Sequence, residues 1–240
     1  MPVTVVILAG GLATRMRPRT ATLPKALLPV NGIPFADIQL GWLSSLGVRD
    51  VVYSIAYLGD AIHRHVGNGA RFGLRVRYVS DGERYLGTAG ALRAVIDADL
   101  VPESFGVING DSYLSLDLAK IEGAFVVSGC PALMTVTHNQ DRWDSSNVVY
   151  HDGRVLVYDK SRTDRSQGSM EWIDYGFSIL TRRAITDRVG TREVADLSLL
   201  MHELSKAGQL AGFEVADRFY EIGSPQGLAD LERHLRSPAR

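Results

Sequence analysis

The sequence predicts an α/β fold, a mixed and mostly parallel central sheet flanked by helices, with a smaller antiparallel portion in its second half. Three observations predict it. Residues 3–8 form an apolar, β-branched run, the mark of a strand buried on both faces. Strand-like and helix-like segments alternate over the first 110 residues, which implies parallel strands with right-handed crossovers. Two glycine-bearing segments, Ala9-Gly10-Gly11 and Asn109-Gly110-Asp111, each follow such a strand. In open α/β sheets ligands sit beyond the carboxyl ends of the strands, so these segments, about 100 residues apart, are expected to face one cleft.

The elements follow in order. The stretch 12–34 is too rich in Pro for a long helix. Phe35, Ile38, Gln39, Trp42, Leu43 and Leu46 form a helical stripe that Gly47 ends. Val51–Ala56 reads as a strand, Ala61–Val66 as a short helix and Leu74–Val79 as a third strand. Thr88–Ala98 reads as a helix with Ala91, Leu92 and Val95 inward, and Phe105–Ile108 as a fourth buried strand. Ala132–Thr137 is a strand, and Val148–Tyr150 and Arg154–Tyr158 flank Asp152-Gly153, a hairpin turn signal. Tyr175–Leu180, Phe213–Val215 and Arg218–Ile222 read as strands, and Leu197–Leu204 as an amphipathic helix. Ser224 at N-cap and Pro225 at the first position open a last helix to about Leu235. No linker or repeat interrupts the chain, which is read as one domain over 1–240.

Composition excludes several classes. The 240 residues carry 26 Lys+Arg against 27 Asp+Glu, a net charge of −1, so there is no general attraction to nucleic acid or to an anionic membrane. No apolar run approaches the roughly 20 residues that span a bilayer. Cys130 is the single cysteine, which rules out an internal disulfide and a Cys-based metal site. Met1-Pro2-Val3-Thr4 lacks the basic region of a signal peptide, and a cytoplasmic location is the expectation.

Four segments carry chemistry. In the first, Leu8-Ala9-Gly10-Gly11 lets backbone N–H groups approach an anion, Thr14 adds a hydroxyl, and Arg15 and Lys25 add positive charge. It is neither a Walker A loop nor a Gly-x-Gly-x-x-Gly fingerprint. In the second, Gly87-Thr88-Ala89-Gly90 places small residues at a helix start, where free N–H groups favour an anion; close helix–sheet packing is the competing explanation. In the third, Asp111 just beyond a buried strand suits Mg²⁺ held between a carboxylate and phosphate oxygens, although a strand-terminal Asp is also a common turn residue. In the fourth, Tyr220-Glu221-Ile222-Gly223-Ser224-Pro225 carries a second carboxylate, Glu221.

Read together, Leu8-Ala9-Gly10-Gly11-x-x-Thr14-Arg15-x-x-Pro18-x-Thr20 and Leu23-Pro24-Lys25-x-Leu27-x-Pro29-Val30 resemble the signature of sugar-1-phosphate nucleotidylyltransferases, the NDP-sugar pyrophosphorylases. Ala13 stands where that family usually has Gly. The resemblance runs from Val3 to about Leu235 and implies a Rossmann-like nucleotidyltransferase fold, with a nucleotide-binding half in 1–111 and a sugar-binding half in 112–240. It implies Leu8, Ala9, Gly10, Gly11, Thr14, Asp81, Gly82, Gly87 and Thr88 as nucleotide contacts. The Asp81-Gly82-Glu83 segment meets the base, and Tyr85 replaces a usual Pro. Arg15, Lys25 and Asp111 become the catalytic residues. Asp111 and Glu221 become ligands of Mg²⁺, although Glu221 replaces an Asp.

The sugar site falls on Asn109, Asn147, Lys160, Asp174, Tyr175 and Gly176. Asp159-Lys160-Ser161 stands for the family's Glu-Lys-Pro, and Asp174-Tyr175-Gly176 for its Asn-Ala-Gly, departures that suggest an unusual sugar. The implied substrates are an NTP and a sugar 1-phosphate. GTP with heptose 1-phosphate fits best; UTP, ATP or dTTP with a hexose or N-acetylmuramate 1-phosphate is the alternative, and a homodimer is compatible. A silent sugar-nucleotide-binding relative is a rival reading, disfavoured by Lys25. A glycosyltransferase is another, disfavoured because Asp111-Ser112-Tyr113 lacks an Asp-x-Asp motif. His63, His65, His138, His202, Trp42 and Cys130 are read mainly as structural, with His138 an option for the sugar pocket.

Overall fold

The computed structural model describes residues 3–11, 16–82, 84–161 and 170–236. Among them the strands are β1 Val5–Ala9, β2 Pro29–Val30, β3 Ile33–Pro34, β4 Asp50–Ile55, β5 Arg75–Ser80, β6 Ser104–Asn109, β7 Ser112–Tyr113, β8 Ala132–His138, β9 Val148–His151, β10 Arg154–Tyr158, β11 Trp172–Thr181, β12 Leu210–Glu214 and β13 Tyr220–Glu221. The helices are α1 Phe35–Ser45, α2 Gly59–Val66, α3 Gly87–Asp97, α4 Leu118–Ser128, α5 Arg182–Thr186, α6 Leu197–Lys206 and α7 Pro225–Arg236.

The central sheet has the order β5-β4-β1-β6-β11-β8-β12-β10-β9. Its first four strands are parallel, as the alternation of the first 110 residues requires. β11 enters antiparallel to β6 and β8, and the sheet's far edge curls back until Val148 of β9 meets Trp172 of β11. The β9–β10 hairpin turns at Asp152-Gly153, both at positive φ, the conformation this dipeptide favours.

β1 shows why the buried strands have unbroken apolar sequence. Val5 and Ile7 pack on one sheet face with Leu40, Leu43 and Phe177, while Val6 packs on the other with Leu92, Val95 and Phe105. A third cluster of Leu28, Val30, Phe35, Ile222, Leu228 and Leu231 seats α7 against the β2–β3 hairpin. Ser224 caps α7 as predicted, its hydroxyl accepting from the Gly227 amide at 3.0 Å.

Two helices lie where the sequence reading placed none. α4 is capped by Asp117, which accepts from the Lys120 amide, and ends at Gly129 in the left-handed conformation. It buries only Leu118 and Ile121 and leaves Val126 and Val127 exposed, so no one-sided stripe marks it. α5 has five residues, too few for a periodicity. β12 starts at Leu210, three residues before the expected Phe213, because it pairs in parallel with β8 from Ala132.

Candidate functional site: a double cleft at the carboxyl edge of the sheet

The parallel strands end along one edge, and the residues that follow them line a cleft of about 290 Å³. Ala9 ends β1 and Gly10 and Gly11 follow it, Tyr57 follows β4, Asp81 follows β5, and Gly110 and Asp111 follow β6. Lys25, Gly87, Thr88 and Lys160 complete the walls. A second depression of about 190 Å³ continues from it, lined by Tyr158, Asp174, Gly176, Ser178, Ser198 and Met201 among others. The two share Leu8, Thr88, Asn109 and Lys160.

Lys25 lies on the short 3-10 helix Lys25–Leu27, and its Nζ donates to Asp111 Oδ2 at 2.8 Å. Both side chains are about one-fifth exposed, within reach of a ligand. Asp111 is held by backbone packing. Gly110 N donates to the Leu8 carbonyl at 2.9 Å, and a Cβ on Gly110 would stand 3.0 Å from that oxygen and from Ala9 Cβ. Gln39 of α1, fully buried, donates its Nε2 to the carbonyls of Asn109 and Ser112 at 3.0 and 2.9 Å. The sequence marked Gln39 as inward-facing, but not as the clamp on both sides of Asp111.

The second segment serves packing as well as the cleft. Thr88 Oγ1 accepts from the Leu197 amide at 2.7 Å and donates to Asp196. The Ala89 and Gly90 amides donate to the Ala195 carbonyl, so these two N–H groups of the α3 start are not free for an anion, contrary to expectation. A Cβ on Gly87 would collide with that carbonyl, and one on Gly90 with the carbonyl of Glu193.

In the second depression Asp174 accepts from the Gly176 amide at 2.9 Å and the Tyr158 hydroxyl at 3.3 Å. Burial pushes its carboxyl above the ordinary value, opposed by the charge of Lys160 and by these two donors. Asn147 does not line the depression; its Oδ1 accepts from the Asp174 amide at 3.0 Å and so positions Asp174. Tyr175 turns the other way into the core, its hydroxyl accepting from the Ser115 amide at 3.0 Å, because neighbouring side chains on a strand face opposite sides. Its assignment to the sugar pocket is corrected on that ground. Gly82 lies outside the cleft lining, in a turn at positive φ.

Glu221 is brought beside Asp111 only through its backbone. β13 pairs with β7 so that Glu221 faces Ser112, and Ile222 N donates to the Asp111 carbonyl at 3.0 Å. Its carboxylate turns into its own loop, accepting from the Gly223 amide and the Ser224 hydroxyl. Thr14, Arg15 and Glu83 lie outside the described residues. Ser54, Tyr57, Tyr85, Tyr158 and Asp196 line the cleft without having been singled out as contacts; no spacing in the sequence ties them to it. His138 pairs with Glu171, and His202 Nδ1 lies 2.6 Å from the Tyr158 carbonyl, both apart from the lining. Among the described residues no helix is long and apolar enough to cross a membrane.

Comparison with known proteins agrees with this fold. The family described as nucleotidyl transferase matches residues 4–145. A mannose-1-phosphate guanylyltransferase of Mycobacterium tuberculosis is 34% identical over 245 residues, covering 99% of this chain and 67% of that protein. A D-glycero-alpha-D-manno-heptose 1-phosphate guanylyltransferase of Campylobacter jejuni is 26% identical, covering 92% of this chain and 95% of the relative. The crystal structure of HddC from Yersinia pseudotuberculosis complexed with GMP-PN superposes with a TM-score of 0.80 at 25% identity, covering 98% and 100% of the two chains. Some relatives are longer: the chain spans 42% of the length of a 30% identical UTP–glucose-1-phosphate uridylyltransferase from Synechocystis. With more than half of its residues matched by the family, the chain belongs to the nucleotidyl transferases.

Proposed function

We propose that the protein transfers the nucleoside monophosphate of GTP to heptose 1-phosphate, giving the GDP-sugar and pyrophosphate. The observation that carries this reading is the continuity of the two depressions, with Lys160 on their shared border and the Lys25–Asp111 pair in the first. The triphosphate then lies in the first and the sugar in the second. The heptose choice is supported by similarity to the Campylobacter jejuni enzyme along nearly its whole length. Mannose 1-phosphate is the second reading, supported by the 34% identity to the mycobacterial enzyme.

The chemistry needs no general base, because the sugar phosphate is already ionised at neutral pH. One of its oxygens bonds to the α-phosphorus, the bond from that phosphorus to the bridging oxygen breaks, and pyrophosphate leaves with the electron pair. This chain's part is positioning and charge neutralisation. Lys25 bridges the α-phosphate and the incoming phosphate, Lys160 orients the sugar phosphate, and Arg15 binds the triphosphate.

The donor set fits Mg²⁺, which binds through one or two carboxylates plus substrate phosphates. Asp111 offers such a carboxylate at the cleft, and among the described residues no cluster of three or more His, Cys, Asp and Glu exists that would hold a metal unaided. Asp111, with Glu221 from the neighbouring strand, would hold the ion, which when bound offsets phosphate charge. The test is pyrophosphate release across five NTPs crossed with heptose and hexose 1-phosphates. Release with GTP and heptose 1-phosphate is expected; nucleotide binding without release from any pair overturns the reading.

A further inference from the structure

Asp196 lines the second depression from the N-cap of α6. Its Oδ1 accepts from the Ser198 amide and the Ser198 hydroxyl, each at 2.7 Å, and from the Thr88 hydroxyl at 3.4 Å. The backbone on either side is tied down: Ala195 N donates to the Leu86 carbonyl at 2.9 Å, and Leu197 N to Thr88 Oγ1 at 2.7 Å. The carboxylate is therefore fixed through one oxygen, while Oδ2 accepts no hydrogen bond among the described residues. Asp174, the other carboxylate of the lining, already has a donor on each oxygen, the Gly176 amide and the Tyr158 hydroxyl. Lys160 is the one cation among the described residues of that lining. An ionised carboxylate only accepts, so an open one in a ligand depression calls for a donor from the ligand. Burial first, then Asp174, then the charge of Asp196 raise the Tyr158 phenol above its ordinary value, so that charge is felt inside the depression.

We propose that Asp196 fits the second depression to neutral, hydroxyl-rich sugars and turns acidic sugars away. Its Oδ2 accepts a sugar hydroxyl, and its charge repels a carboxylate brought in by the ligand. The inference rests on the reading of this depression as the sugar site and names the class of sugar it admits. With Lys160 taken up by the sugar phosphate, two carboxylates, Asp174 and Asp196, face the rest of the ligand. The screening length of about 8–10 Å at physiological salt exceeds the span of so small a depression, so the repulsion holds whichever way the sugar lies. A hydroxyl gains a charge-assisted hydrogen bond, whereas a ligand carboxylate meets like charge and leaves Oδ2 unpaired. Heptose and mannose 1-phosphates satisfy this chemistry. Uronate and N-acetylmuramate 1-phosphates, which carry a carboxylate, do not.

The experiment is competitive inhibition of pyrophosphate release from GTP and heptose 1-phosphate, or from the pair that the wider screen identifies. The inhibitors are two matched pairs, mannose with mannuronate 1-phosphate and glucose with glucuronate 1-phosphate. In wild type the neutral member is expected to bind at least about tenfold more tightly than its acid, a result that needs no variant. Asp196→Asn keeps the helix cap, since Asn caps as well as Asp, and puts an amide donor in place of Oδ2. It should raise the KM for heptose 1-phosphate about 10–100-fold and cut the discrimination against the acid about fivefold. A merely structural change would weaken both members of a pair alike, and a thermal melt reports the fold. Equal inhibition within the pairs, tighter binding of the acid, binding by none of the four, or an unchanged ratio in the folded variant overturns the role of Asp196 and leaves nucleotidyl transfer standing. Pyrophosphate release from no pair of NTP and sugar phosphate overturns the functional reading and this inference together.

Discussion

Lys25 Nζ stands 2.8 Å from Asp111 Oδ2, joining residues 86 positions apart at the mouth of the cleft. In the unliganded chain each neutralises the other; under the proposed function both would turn to substrate phosphate and metal. The pair is only partly buried, so its net worth to folding is about 1 kcal/mol. Lys25→Met therefore separates chemistry from stability. Turnover should fall about 100–1,000-fold, as for loss of one preorganised charge contact. The melting temperature should drop by about 2–4 °C. Steady-state rates at saturating substrate and a thermal melt check both, and near-normal turnover removes Lys25 from the reaction.

Gln39 works at one remove. Its amide holds the carbonyls of Asn109 and Ser112, on either side of Gly110-Asp111. Gln39→Met keeps the volume and leaves both acceptors without that donor, costing about 2 kcal/mol. A merely structural loss would leave the metal response alone. Loosening Asp111 should raise the Mg²⁺ concentration for half-maximal rate, with the KM for the sugar phosphate unchanged. Metal titration of the folded variant reads this directly, and an unchanged midpoint removes the positioning role.

The parallel half and the strand-end residues were legible because both follow from local sequence. Apolar runs mark β1, β4 and β6, and the rule that ligands lie beyond strand ends links Gly10 to Asp111. What was not legible depends on partners far along the chain. Asn147 holds the Asp174 amide through strand pairing that spacing does not disclose. The Ala89 and Gly90 amides bond to Ala195, a contact of 105–106 residues' separation that turns part of an anion-binding motif into a packing joint. Tyr175 is the instructive miss. Strand alternation alone separates it from Asp174 and Gly176, whereas the resemblance treated the three as one motif.

That joint makes its own prediction. Gly90→Ala drives a Cβ into the Glu193 carbonyl and against Leu86 Cβ, within a backbone contact that cannot easily yield. It should cost about 2 kcal/mol and lower the melting temperature by about 4–8 °C. Gly41→Ala in α1 is the control, because nothing lies within 4 Å of the added Cβ. There the better helix propensity of Ala should stabilise the chain by up to about 1 kcal/mol. Equal melts for the two variants would falsify the packing role of Gly90.

Asp174 sets a pH dependence of folding. Burial raises its carboxyl above the ordinary 3.8, against the charge of Lys160, the Gly176 amide and the Tyr158 hydroxyl. The folded chain thus holds this proton more tightly than the unfolded chain. Its contribution is fully present below pH 3.8 and is lost as pH rises towards the folded value. Asp174→Asn has no proton to lose. The variant should gain on wild type as pH increases from about 4, with a constant difference once the folded value is passed. Urea unfolding from pH 4 to 8 measures this gap, and parallel curves would remove Asp174 as its source.

Glu221 has an observed role in its own loop and a proposed one at the metal, both of which need its one carboxylate. It accepts from the Gly223 amide and the Ser224 hydroxyl, and Ser224 in turn caps α7 through the Gly227 amide. To share Mg²⁺ with Asp111, one strand away, it must release both partners, which loosens the first turn of α7. Glu221→Gln keeps an acceptor for the loop and removes the negative charge. The Mg²⁺ requirement should rise about tenfold, comparable to losing one well-placed metal-site interaction, while the melt of the unliganded chain shifts by only a few degrees. Glu221→Asp restores the charge on a shorter arm, so metal affinity should recover in part while the loop contacts do not. If the melt moves in both variants and the Mg²⁺ requirement in neither, Glu221 is a helix clamp and Asp111 binds the ion with substrate phosphates alone.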